Sequence, residues 1–202
     1  MVSIWWVRPS AVNDHDRSLL SASELARMER MGQPADRDRF AAAWSLARRQ
    51  LGELTGLPPR SLTFSRSCEN CAHPSHGRPR LTFAGPQFSL SHSGDRVLLA
   101  VCERQRVGAD VEQVGRDIDG LRRLVLHPEE PAEIAGMTLL RLWVRKEALL
   151  KVTGLRVTQM ARLNAAAPPP GVRVWDTAAD DGYVAAVATM HSADPPRFAR
   201  RR

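Results

Sequence analysis

Lysine is almost missing from this chain. Of its 29 lysine and arginine residues only two are lysines, Lys146 and Lys151, and both lie in the segment LLRLWVRKEALLKVTGL. Arginine codons are GC-rich and lysine codons are not, so a chain written in arginine that keeps lysine twice in one segment marks that segment. Cysteine is scarce too: three residues in 202 cannot build a disulfide framework. One tyrosine and five phenylalanines leave few platforms on which nucleic-acid bases could stack. No apolar run has the length of a membrane span. The opening MVSIWWVRPS lacks a basic region followed by a long apolar core, so it reads as a strand and not as a signal peptide. The expectation is a cytoplasmic monomer without membrane contact.

With 43% hydrophobic and 25% charged residues over 202 positions, the chain can bury the core of one domain or of two small ones. The net charge of +7 favours anionic partners without choosing among nucleic acid, phosphate-bearing cofactors and acidic proteins. Part of that charge sits in the terminal RFARRR, which reads as a disordered tail over 193–202.

Along the chain, SIWWV predicts a strand, SASELARMERM a helix capped by Ser21 or Ser23, and PADRDRFAAAWSLARRQLGELTG a long helix stopped at Gly56. SLTFSR reads as a strand, and residues 87–114 as strand, turn, strand, turn, strand. A helical stretch is expected through HPEEPAEIA, then a helix over 138–152, then a closing hairpin. Trp44 precedes Thr55-Gly56-Leu57 much as Trp143 precedes Thr153-Gly154-Leu155, and a hairpin pattern follows each. The fold class expected is therefore α+β in two similar halves, 1–103 and 104–192. Chance similarity in an alanine- and arginine-rich sequence is the competing reading.

Four stretches carry candidate chemistry. In VGADVE, a strand puts Asp110 and Glu112 on one face, where their repulsion invites a divalent cation; a solvated acidic strand face is the plain alternative. On the helix, Leu142, Trp143, Leu149 and Leu150 point one way, and Glu147 and Lys151 share the flank of that stripe. A stabilising i,i+4 ion pair would explain them equally. Lys146 falls inside the apolar arc, so it either snorkels outward or serves a polar site at the core's edge. FSLSHSG ends a strand in Ser91, His92 and Ser93 before a turn, offering donors to phosphate oxygens, or simply a polar turn. HGRPRL is a tight turn that presents Arg78.

In this order and spacing the four stretches resemble the Sfp-type 4′-phosphopantetheinyl transferases, over about residues 20 to 190. VGADVE and WVRKEALLK match the family's Gly-x-Asp-x-Glu and Trp-x-x-Lys-Glu-x-x-x-Lys pattern at Gly108, Asp110, Glu112, Trp143, Lys146, Glu147 and Lys151. The resemblance implies a pseudo-twofold α+β fold. It implies transfer of the phosphopantetheine arm from coenzyme A to a serine of an apo acyl or peptidyl carrier protein. Asp110, Glu112 and Glu147 would hold Mg²⁺, Glu147 would be a candidate base, and Lys151 would contact the diphosphate and assist the leaving 3′,5′-ADP. Arg39, Arg78, Ser91 and His92, with Arg27 a further candidate, would contact the coenzyme's phosphates or adenine side. Lysine is a compact point charge and arginine a planar fork, so a crowded diphosphate centre would favour lysine at 151. Arg78 stands where the family has lysine, an exchange tolerable at an open rim.

The CENCAHPSHG loop offers Cys68, Cys71, His73 and His76, half of a zinc site. Together with the basic charge it supports a rival reading, a nucleic-acid-binding module. The scarcity of aromatic residues and the repulsion of three carboxylates toward phosphate weigh against that rival.

Overall fold

The computed structural model describes residues 1–66 and 77–190 and the backbone of Arg200–Arg201. The CENCAHPSHG cysteines and histidines lie outside the described residues. The chain begins with strand β1 (Val2–Val7), helices α1 (Asp14–Ser18) and α2 (Ala22–Glu29), and the long helix α3 (Pro34–Thr55). A small ribbon of β2 (Phe64–Arg66) and β3 (Pro79–Leu81) precedes the hairpin of β4 (Gln87–Ser93) and β5 (Arg96–Cys102). Strand β6 (Val107–Gln113) opens the second half. Helix α4 (Arg122–Val125), the long helix α5 (Gly136–Thr153) and the hairpin β7 (Val172–Thr177)–β8 (Tyr183–Met190) follow. The backbone of β9 (Arg200–Arg201), in the segment expected to be a disordered tail, pairs in parallel with β1.

The two halves follow one path. The run β1-α3-β4-β5 makes a sheet in the order β4-β5-β1, and β6-α5-β7-β8 makes one in the order β7-β8-β6, all antiparallel. Both long helices end alike. Gly56 (φ 71°) and Gly154 (φ 77°) take the left-handed conformation that glycine adopts without penalty. The preceding Thr55 and Thr153 each donate to a carbonyl one turn back, Leu51 at 2.7 Å and Leu149 at 2.9 Å. The repeat predicted from the sequence is thus a repeat of fold.

Strand alternation sorts the core into layers. Trp5, Leu99 and Val101 face α3 and meet Leu46, Ala47 and Leu51. On the second sheet, Ala186 and Ala188 face α5 and meet Leu149, Val152 and their neighbours. Between the sheets, Val2, Ile4, Leu98 and Ala100 of one half meet Val107, Ala109, Val111, Ala185 and Val187 of the other. Trp6 packs against this inner layer while Trp5 faces the helix, so the tandem tryptophans serve two layers.

Ser21, not Ser23, caps α2, with Glu24 completing a reciprocal capping box. The helix expected through HPEEPAEIA is absent. Pro128 and Pro131 lack the N–H groups a helix would use, and the segment forms turns, with helix only at 122–125 before it. Among the described residues no helix is long and apolar enough to cross a membrane.

Candidate active site

Asp110 and Glu112 lie side by side on β6, facing α5, and are only 5% and 8% exposed. Gly108 shares that face. A Cβ built there would lie 2.1 Å from the Ala148 carbonyl oxygen and 3.0 Å from Lys151 Cβ. Only glycine lets the helix descend onto the strand at this point, which brings Glu147 and Lys151 over the two carboxylates. The Gly-x-Asp-x-Glu spacing thus has a packing cause.

The other edge of β6 is closed by serines. Ser89, Ser91 and Ser93 alternate along β4 and accept from the backbone N–H groups of Ala109, Val111 and Gln113 at 3.0, 3.3 and 3.1 Å. Ser91 donates to Asp110 Oδ1 and Ser93 to Glu112 Oε2, both at 2.7 Å. Ser91, read from the sequence as a phosphate donor, therefore spends its one hydroxyl proton on Asp110. Its neighbour His92 points to the opposite face, toward α3. Partial burial, then the positive charges of Arg39 and Lys151, holds the His92 pKa below the ordinary histidine value.

Two cations sit on the carboxylates. Lys151 Nζ donates to Asp110 Oδ1 at 2.9 Å and to the Ala109 carbonyl at 2.7 Å. Arg116 pairs with Glu112 Oε1, and its guanidinium lies 5.4 Å from the centre of the Trp143 ring. Asp110 Oδ2 is buried and has no hydrogen-bond partner. Burial raises the Glu147 pKa, and the negative charges of Asp110 and Glu112 raise it further against the pull of Lys151. Burial also raises that of Glu112, opposed by its bond from Ser93. Among the described residues no three acidic, histidine or cysteine side chains are drawn together into a finished metal shell. The donors are nonetheless hard carboxylate oxygens, one of them unpartnered in the protein interior. That suits an ion such as Mg²⁺, which takes few protein ligands and keeps places for water and phosphate.

The remaining candidates are placed as follows. Arg39 reaches from α3 to the β4–β5 turn, donating to the Gly94 carbonyl at 3.1 Å and to Asp36 at 2.5 Å. Arg78 is not at an open rim: its guanidinium is partly buried and donates to Gln87 Oε1 at 2.9 Å and to the Phe88 carbonyl at 3.4 Å. Arg27 lies over the Phe40 ring, in a cavity of about 400 Å³ shared with Arg30 and Arg66. Lys146 does not snorkel. It is fully buried and bonds the Val125 carbonyl and Glu130, both at 2.5 Å. Two residues outside the metal and coenzyme set that the resemblance implies also touch the site, Ser93 and Arg116. The serine alternation in FSLSHS signalled Ser93; nothing in the sequence signals Arg116, which reaches Glu112 from a turn.

The site is thus a buried, strand-borne carboxylate pair, Asp110 and Glu112, with Glu147 and Lys151 one helical turn apart on α5 above it. Residues 106–188, which hold β6, α5, β7 and most of β8, match the model of the 4′-phosphopantetheinyl transferase superfamily. The chain is 30% identical to the 4′-phosphopantetheinyl transferase HetI of Nostoc sp., over 89% of this chain and 82% of that protein. It is 33% identical to the 4′-phosphopantetheinyl transferase AcpT of Salmonella typhimurium, over 46% of this chain and 53% of that one. The chain belongs to the 4′-phosphopantetheinyl transferase superfamily and is an enzyme of the transferase class.

Proposed function

We propose that this enzyme moves the 4′-phosphopantetheine arm of coenzyme A onto a serine of an apo acyl or peptidyl carrier protein, with Mg²⁺ held by Asp110, Glu112 and Glu147. The observation that carries this reading is the buried, unpartnered Asp110 Oδ2 beside the Lys151 ammonium, in a chain of this family. When bound, the ion would neutralise the diphosphate and polarise its oxygens.

The chain's own groups supply the rest. The carrier's serine oxygen forms a bond to the phosphorus that bears the pantetheine arm, and the phosphorus–oxygen bond to 3′,5′-ADP breaks. Glu147 takes the serine's proton. Lys151 meets the charge growing on the departing oxygen. Arg39 and His92 receive the coenzyme's phosphates and adenine side, Arg78 joins them only by giving up its bonds to Gln87 and the Phe88 carbonyl, and Ser91 contributes by fixing Asp110. The net charge of +7 would steer an acidic carrier protein toward the enzyme.

Intact mass spectrometry of apo carrier proteins incubated with the enzyme, coenzyme A and Mg²⁺ tests the proposal. A gain of one phosphopantetheine arm is expected, absent in chelator and with Glu147→Gln. No gain on any acyl or peptidyl carrier, together with no coenzyme A binding by calorimetry, would overturn it.

A further inference from the structure

We propose that Arg116 is the placeholder of the divalent ion at Glu112: its guanidinium occupies the Oε1 position in the metal-free protein and yields it when the ion arrives. The inference rests on the metal site proposed above.

The two oxygens of Glu112 are held very differently. Oε2 accepts from Ser93 at 2.7 Å, and Ser93 is itself fixed by the Gln113 N–H at 3.1 Å, so the carboxylate is anchored from the β4 side. Oε1 is turned to Arg116, whose side chain is 44% exposed. Arg116 follows Gly115, which adopts a φ of 92° in the turn after β6. A long, exposed side chain on a turn can swing away while the anchored carboxylate stays. Asp110 repeats the pattern, with Oδ1 held by Ser91 and Lys151 and Oδ2 left buried without a partner.

The arrangement solves an electrostatic problem. Asp110 and Glu112 stand side by side on β6, nearly buried, with Glu147 on the helix above them, and like charges held so close repel one another. In the metal-free protein the cations of Lys151 and Arg116 offset that repulsion and keep the carboxylates aimed. The ion must then displace an ion pair to bind, so Mg²⁺ alone binds weakly and binds better with an anionic co-substrate that adds ligands. Arg116 also lies over the Trp143 ring, so its departure alters the surroundings of that indole.

Binding of Mg²⁺ without coenzyme, followed by calorimetry and by tryptophan emission, tests this in the wild type, Arg116→Ala and Arg116→Gln. Both variants are expected to bind Mg²⁺ about two- to fivefold more tightly, the scale of one exposed ion pair. The wild type should show a Mg²⁺-dependent emission change that is lost in Arg116→Ala and in Trp143→Phe. A purely structural Arg116 would leave Mg²⁺ affinity unchanged or weaken it. That result in both variants, with Asp110→Asn still abolishing binding, would overturn the placeholder and leave the metal site standing. Absence of Mg²⁺ binding in every form, with coenzyme A present as well, would overturn the metal site and this inference with it.

Discussion

Removing the Lys146 ammonium would strand Glu130, whose side chain is only 7% exposed. Glu130 also accepts the backbone N–H groups of His127 at 2.8 Å and Ala165 at 3.1 Å, so this pair ties the segment before α5 and the one after it to the back of the helix. Lysine is retained here because a slender stem can thread the apolar arc and end on a carbonyl and a carboxylate. Lys146→Met is expected to cost about 3–5 kcal/mol, the scale of an unpaired buried charge. Lys146→Met/Glu130→Gln should recover part of it. Urea unfolding measures both, and a single-variant loss under about 1 kcal/mol would contradict the pairing argument. Glu147 is the opposite case, a carboxylate without a strong partner. Its folded pKa is raised, so between the ordinary glutamate value and the raised one the native state holds more protons than the unfolded state. Stability of the metal-free protein should therefore fall as pH rises through that window. Glu147→Gln removes this pH dependence: in chelator it should melt at higher temperature than the wild type above the window, with the difference vanishing below it. A difference that does not change with pH would reject the assignment.

Contact between α5 and β6 is set at one position. Gly108→Ala would place a methyl within 2.1 Å of the Ala148 carbonyl oxygen, backbone that cannot rotate away. The helix must lift or the strand must bend, at about 1–3 kcal/mol or more. Because Glu147 and Lys151 ride on that helix, transferase activity should fall further than stability does. Urea unfolding with a steady-state assay checks this, and unchanged activity in a destabilised variant would mean the site tolerates the shift. This element shows what was readable beforehand. Period-two alternation placed Asp110 and Glu112 together, and a four-residue spacing placed Glu147 with Lys151, because both rules are local. Over 127–135 the local rule that decides is proline: Pro128 and Pro131 lack the N–H groups a helix needs, and the segment forms turns where a helical stretch is expected. The bond from Ser91 to Asp110 is not legible in the sequence, because the two are brought together only by the meeting of β4 with β6, which no local pattern encodes. The Arg116 contact depends in the same way on where a turn leaves its side chain.

The halves share a fold but not independence. Val2, Ile4, Leu98 and Ala100 of the first half have their apolar partners in the second, and the β4 serines find theirs on β6. The hairpin turns also clasp each other: the Tyr183 hydroxyl donates to Asp95 at 2.6 Å, and Arg96 reaches Asp180 at 2.7 Å. A fragment of residues 1–103 would expose the whole inner face of its sheet and leave three hydroxyls of β4 without their β6 donors. The expectation is that neither 1–103 nor 104–202 folds cooperatively alone, and that the intact chain unfolds in one transition. Near-ultraviolet circular dichroism and thermal melting of the fragments, separate and mixed, decide it. Native-like signal only in the mixture would show that the carboxylates of β6 are held in place by the half that carries none of them. A sharp melt of 1–103 by itself would instead make the seam a late docking contact, and the serine ladder a consequence of folding and not one of its causes.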